Sequence, residues 1–492
     1  MSIRSRSFYS FLNSIIENFR IHICKKKYYW GEKHCQSLFD NIVLTGTSNE
    51  RKSHFIGSIV HSLHEKEGTN ECVIIDGHQR VVTIILLYIA LYKFAKKMNN
   101  NIGKQQTITR MNYICNSFLN KSLIKNIENL VPKETCQEIF KHLIVTDSIK
   151  VSDKVEITDE TDVADNLKLF ARMAKNFEYF SRRIDENNFN AIRKGIEKIV
   201  FIEITLESQY VEHYNKLLYS TGDADKDIKP YLWYNIKLGI KYAYIFLAKV
   251  YYDYDNQLID KTTFIEVLSF VQAFLWRRII AGHSIGGMSK CFTTLHNSVD
   301  KNNYLRSVQQ NLLQHSFPTD SEIKKVLKEK NIDGLKPDHK IYLFEKLENY
   351  QNTELSPLNF SKVFIEHIFP PNPVPQWRVE LGDAEYQEME KSLHLLGNLT
   401  VSYINAEMEN LYFTDKQNMN RNNKQHGYKY SSLWLNSSLQ GLERWDKKAL
   451  EARTKELTER FLTVWKLPTA RGISKTSTVG IIKKIINKIF GK

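Results

Sequence analysis

The chain has 492 residues, of which 42% are apolar and 25% charged, the balance of an ordinary globular protein with two or three domains and cores that need no staples. Its 69 Lys and Arg against 55 Asp and Glu leave a net charge of +14. That excess favours a polyanionic partner such as nucleic acid over an acidic small molecule, although a soluble protein with a merely basic surface has the same balance.

The start, Met1-Ser2-Ile3-Arg4, lacks the apolar core of a signal peptide. Residues 1–95 read as mixed helix and strand. Cys72-Val73-Ile74-Ile75 is a short buried strand closed by Asp76-Gly77. Val82 to Phe94 then reads as a buried helix ending in Lys96-Lys97. The longest apolar run, Val81 to Ala90, is too short to span a bilayer. Residues 96–195 are Asn/Lys-rich and read as a helical insertion, with a helix over Asn166 to Phe180. Ile199 to Ile204 is a second strand. Ile236 to Tyr252 and Phe264 to Ile280 carry helical spacing, and residues 303–350 continue as helices with solvated charged faces. Phe360 to Ile365 reads as a strand broken by Pro370-Pro371-Asn372-Pro373, Leu395 to Tyr403 as another, and Asn405 onward as a short helix. Leu442 to Trp465 is an amphipathic helix. The tail from Leu467 to Lys492 is basic, without an acid, and its isoleucines alternate with lysines as in a surface-seeking helix or a stripe packed on the body.

Six cysteines are scattered and none forms a Cys-x-x-Cys pair, which excludes a zinc ribbon and a thioredoxin motif. Scattered thiols in a long chain, with no spanning segment, give the expectation of a cytoplasmic protein with no membrane partner.

The chemistry is concentrated in residues 366–416. Glu366-His367-Ile368-Phe369-Pro370 is followed by Leu396-Gly397-Asn398-Leu399-Thr400, then Asn405, Asn410 and Lys416. An acid, a histidine and two amides in this order suit a one-metal nuclease. Oxygen donors hold a hard divalent cation, and the imidazole takes a proton from the attacking water. A second constellation, Ile74-Ile75-Asp76-Gly77-His78-Gln79-Arg80, places a tight turn between a strand and a helix. Gly77 permits the turn and Arg80 offers a fork for phosphate, although an arginine-capped Asp-Gly turn is equally an ordinary structural device.

Both constellations resemble the GmrSD-type restriction endonucleases, in which a ParB-like N-terminal domain carrying D-G-Q-Q-R is fused to a C-terminal HNH nuclease. The C-terminal pattern E-H-I-x-P, L-G-N-L-T, N-x-x-L-S-N-x-x-F-x-x-K is matched through Phe413 and Lys416. Tyr28-Tyr29-Trp30, Phe55 to Ile59, Leu218 to Gly222 and Phe274-Leu275-Trp276-Arg277-Arg278 resemble further motifs of the family. The chain departs at His78, Tyr219 and Lys25-Lys26, where the family has Gln, Asn and Gln-Arg.

The resemblance implies an α+β, mostly helical fold with a ParB-like α/β domain over 1–235, a helical connecting region over 236–340, a ββα-metal nuclease over 341–466 and a basic tail over 467–492. It implies His367 as general base, Asn398 as its orienting partner or the holder of the loop, Glu366 and Asn405 as ligands of Mg²⁺ or Mn²⁺, and Lys416 as a phosphate contact. Asp76, Gly77, Gln79 and Arg80 are the implied nucleoside triphosphate site, and the departures give the expectation of weakened or altered binding with hydrolysis lost. DNA, modified phage DNA included, is the expected substrate, and a homodimer would suit double-strand cutting. A nucleotide-gated DNA-binding regulator and an RNA-cleaving toxin are the rival readings.

Overall fold

The computed structural model describes residues 2–11, 20–23, 28–66, 69–98, 105, 107–109, 161–219, 225–285, 288–350, 363–403, 408–421 and 424–468. They form two compact units, Met1–Glu212 and His213–Lys492. The fold is α+β and mostly helical.

The first unit is built on a five-stranded mixed sheet in the order β1-β5-β3-β4-β2. Its strands are β1 (Ser2–Ser7), β2 (Arg20–Ile23), β3 (His54–Lys66), β4 (Thr69–Asp76) and β5 (Ile199–Thr205). β3 and β4 form an antiparallel hairpin, β5 runs parallel to β3, and β1 closes the edge antiparallel to β5. The strand expected at Cys72 to Ile75 is the inner half of β4, and that at Ile199 to Ile204 is β5.

Helix α1 (Glu32–Thr47), α2 (His78–Lys97), α3 (Thr161–Arg183) and α4 (Phe189–Glu197) accompany the sheet. α2 is apolar almost all round and buries fourteen of its residues, Ile84 to Leu91 among them, the pattern of a core helix. α1 and α4 approach through glycines. A Cβ on Gly46 would lie 1.7 Å from the Ala191 carbonyl oxygen, and one on Gly195 2.1 Å from that of Ile42. Most of the expected insertion, and all of 110–160, lies outside the described residues.

The second unit begins with helices α5 (Lys229–Leu238), α6 (Tyr244–Asp255), α7 (Lys261–Ala281), α8 (Ser289–Leu295), α9 (Tyr304–Leu313), α10 (Asp320–Glu329) and α11 (Pro337–Glu348). The expected helix from Ile236 to Tyr252 is two helices, because Gly239 sits at φ +63° and ends α5 in the left-handed conformation. The expected helix Phe264 to Ile280 is α7, whose Asp260 cap accepts from the Thr263 amide. Then follow β6 (Phe364–His367), α12 (Gln376–Leu381), α13 (Asp383–Lys391), β7 (Leu399–Ser402), α14 (Phe413–Asn418), α15 (Trp434–Ser437) and α16 (Lys447–Val464).

The two compact units meet at 212/213, and the helices of 229–348 belong to the same unit as the 363–466 segment. The side chains explain this. Trp276 on α7 packs against Tyr342 and Trp465, and Arg277 donates to the Trp465 and Pro318 carbonyls. The helices before the motif thus share a core with the helix after it. No helix among the described residues is long and apolar enough to cross a membrane. The tail beyond residue 468 lies outside them.

Candidate functional site

β6 and β7 form a two-stranded antiparallel ladder that pairs Glu366 with Thr400 and His367 with Leu399. The Ile368 amide donates to the Asn398 carbonyl at 2.8 Å, extending the ladder by one step. The short helix α14 follows, giving two strands and a helix around the Glu-His pair.

Successive side chains on a strand face opposite ways, and this separates the pair. Glu366 is only 2% exposed. Its Oε1 accepts from Lys416 Nζ at 3.0 Å and from the Tyr428 hydroxyl at 2.9 Å, while Oε2 has no partner among the described residues. Lys416 is fully buried and also donates to the carbonyls of His367 at 2.7 Å and Glu409 at 3.2 Å. An ammonium has three protons, and all are used. Burial raises the Glu366 carboxyl above the usual carboxylate range and lowers Lys416, so both are pushed toward neutrality.

Lys416, expected at a phosphate, is enclosed here and its three protons go to internal acceptors. Glu366, the expected metal ligand, gives Oε1 to Lys416 and Tyr428, while its buried Oε2 is left without a partner among the described residues. Asn405, the other expected ligand, lies outside the described residues. Among the described residues no group of three or more His, Cys, Asp or Glu is placed to hold an ion.

His367 faces the other way and is only partly buried. Its Nε2 lies 3.2 Å from His394 Nδ1, with the rings at 72°. Asp333 Oδ2 stands 4.0 Å from the same His394 nitrogen, and Lys340 pairs with Asp333 at 2.5 Å. The Ile332 amide donates to the His394 carbonyl at 2.9 Å, so the loop carrying Asp333 is tied to the second histidine. The Nδ1 of His367 makes no hydrogen bond among the described residues. Desolvation, then the neighbouring His394, lowers the His367 pKa to about 4, with Asp333 opposing. The imidazole is therefore neutral, with a lone pair for a proton, across the physiological range.

Asn398 is fully buried and uses its whole amide. Oδ1 accepts from the Phe369 amide at 2.8 Å and Trp445 Nε1 at 3.1 Å, and Nδ2 donates to the Phe369 and Leu393 carbonyls, both at 2.8 Å. Of its two expected roles the geometry supports holding the loop, since no bond to His367 is left to make. Gly397 has a backbone reason: a Cβ there would lie 2.1 Å from Thr454 Oγ1 on α16. Arg453 on the same helix donates to the carbonyls of Gly397, Leu399 and Leu435.

The N-terminal turn is equally enclosed. Gly77 takes φ +90°, and a Cβ would meet the Ser58 carbonyl oxygen at 2.9 Å. Arg80 Nη1 donates to that carbonyl at 2.5 Å. Gln79 Oε1 accepts from the Tyr29 and Trp30 amides at 2.8 and 3.2 Å. Asp76 is 6% exposed. The expected nucleotide ligands thus lie together at the β4–α2 turn, with Nη1 of Arg80 engaged by backbone.

His394, Asp333 and Tyr428 escape sequence reasoning. His394 and Asp333 lie outside the motif strings, and only the fold brings them to His367.

The sequence model described as the GmrSD restriction endonucleases, C-terminal domain, matches residues 317–460, and that described as the GmrSD restriction endonuclease, N-terminal domain, matches residues 8–235. No curated protein matches the chain.

Proposed function

Since the chain belongs to the GmrSD restriction endonuclease family, and is thereby a restriction-type nuclease acting on DNA, we propose that residues 363–421 hydrolyse the phosphodiester bond in the manner of an HNH nuclease, with His367 as general base. The observation that carries this is the polarity of one imidazole. Its Nε2 is engaged by His394 while its Nδ1 has no partner among the described residues, and its pKa is depressed to about 4. A base so held accepts a proton from water at Nδ1, and the charge that forms faces Asp333 across His394.

Restriction endonucleases generally use divalent cations, so Mg²⁺ and Mn²⁺ stay in the proposal as cofactors, with Glu366, whose Oε2 has no partner among the described residues, and Asn405 as proposed ligands. The basic balance of the chain supports sequence-independent attraction to the DNA backbone, which weakens steeply with salt. Restriction of modified phage DNA by a cytoplasmic enzyme acting as two copies is the biological setting we propose.

The test is nicking of supercoiled plasmid with Mg²⁺ or Mn²⁺, on unmodified, methylated and glucosylated DNA, comparing the wild type with His367→Ala. Metal-dependent nicking that disappears in the variant supports the reading; equal nicking by both proteins removes His367 from the mechanism.

A further inference from the structure

Six of the seven tryptophans are buried or half-buried, and Trp233, 46% exposed, stands alone in solvent. It projects from α5, whose opposite face is firmly held. Leu232, Tyr234, Asn235 and Leu238 are buried. Gln272 on α7 donates to the Tyr231 carbonyl and to Asn235 Oδ1, both at 2.8 Å, and the Tyr234 hydroxyl donates to Glu345 on α11 at 3.0 Å. The helix therefore cannot roll to hide the indole, and neither the nuclease hairpin nor the β4–α2 turn uses it.

The surface around the indole is basic. Lys229 and Lys237 stand four residues before and after Trp233, which sets the three in one row, and about 12 Å separates the outer two along the helix axis. α5 contains no acid. Lys229, and Lys226 in the turn before it, are exposed and form no ion pair among the described residues. The acids nearest in sequence, Asp225 and Asp227, are both held by Lys261. The Lys237 ammonium lies 4.9 Å from the Trp233 ring centroid and bonds Asp338 at 2.7 Å. A cation on one side of the ring braces its plane, and the exposed remainder is a flat apolar platform flanked by unneutralised charge.

We propose that Trp233 is a stacking platform for an unpaired base of single-stranded DNA, with Lys226 and Lys229 on the phosphates beside it. Bases inside a duplex have both faces covered, so an indole on a convex helix reaches only a base that has left the stack. The lysines attract the backbone of the same strand whatever its sequence, and they disfavour a basic protein face as the occupant. This goes beyond the nuclease reading: it takes from it only that DNA is the substrate, and it adds a contact for strand that is already unpaired, as at an end or a distorted site.

The experiment is fluorescence anisotropy of the full chain with a short dye-labelled oligothymidylate and with a blunt duplex of the same length, in EDTA so that no strand is cut. Trp233→Ala is expected to bind the single strand about 5- to 150-fold more weakly, the worth of one stacked base, with little change on the duplex. Trp233→Phe should recover most of the loss, and Lys229→Gln should lower the slope of log affinity against log salt by about 0.7. Thermal melting checks that each variant folds. Unchanged single-strand affinity in folded Trp233→Ala, or an equal loss on the duplex, overturns the proposal. So does sedimentation in which the wild type pairs with itself and Trp233→Ala is monomeric, since the indole would then belong to an interface between copies. A protein that binds the oligonucleotide through Trp233 yet nicks no plasmid would sink the nuclease reading and leave this one standing.

Discussion

Nε2 of His367 and Nδ1 of His394 lie 3.2 Å apart, so one of the two rings donates to the other and the tautomer of the first is set by the second. Loss of His367 should therefore lower plasmid nicking by about 10²–10⁴-fold, the usual contribution of a positioned base. His394→Ala should lower it less, because Nδ1 of His367 survives but loses its fixed orientation. Initial nicking rates of both variants at saturating DNA measure the difference.

The same pair fixes a pH dependence. His367 titrates near about 4 in the folded protein, below the ordinary histidine value of about 6.5. Its base form persists down to that point, so the acid limb of the nicking profile should lie well below pH 6. His394→Ala removes one cause of the depression and should move the limb upward. The linked stability has a definite sign. A depressed folded value means the native state binds fewer protons, so this contribution is complete above about 6.5 and is lost as pH falls through the window toward about 4. Imidazole resonances of His367 followed by NMR against pH would check the value without reference to activity.

Lys416 should be a stability residue. Lys416→Met leaves Glu366 buried with one donor, Tyr428, and should cost about 3–5 kcal/mol, the range for stripping one partner from a buried pair. Glu366→Gln/Lys416→Met removes both charges and should recover part of the loss. Urea unfolding of the three proteins reads this; a Lys416→Met protein as stable as the wild type would contradict the burial.

Asn398→Ala should be costly for a related reason. It strands the Phe369 amide, the Phe369 and Leu393 carbonyls and the Trp445 indole, and each unpaired buried group costs about 1–3 kcal/mol. Loss of nicking should then track loss of the folded state in a denaturation curve.

Gly46→Ala tests the packing of α1 on α4. In an exposed helix interior alanine is favoured over glycine by about 1 kcal/mol. At Gly46 the added carbon would lie 1.7 Å from the Ala191 oxygen, so the sign should reverse, and the variant should melt at a lower temperature.

Much of this architecture was legible in periodicity and spacing. β4, α2, β5, α7 and α16 are found close to where apolar patterning puts them. The β6–β7 ladder was legible only in outline, since Leu395 to Asn398 form a turn and the strand begins at Leu399. β1 and β3 were not individually legible, because their polar residues blur the alternation; Arg4 and Arg6 both reach the buried Glu203 on β5. At the site the motif strings located His367 and Asn398. They gave no sign of which face each residue takes, and so none of the enclosure that brings Glu366 and Lys416 together. His394 and Asp333 come from separate turns, and sequence distance hides their meeting.

The grip of α16 on the motif sets a lower limit on the size of any working fragment. Arg453 reaches three carbonyls around β7, and Gly397 lies against Thr454. A fragment trimmed just after Lys416 would keep every motif letter and still lose the brace that keeps the hairpin in register. An excised nuclease, or a chimera that borrows it, has to carry the chain through Trp465.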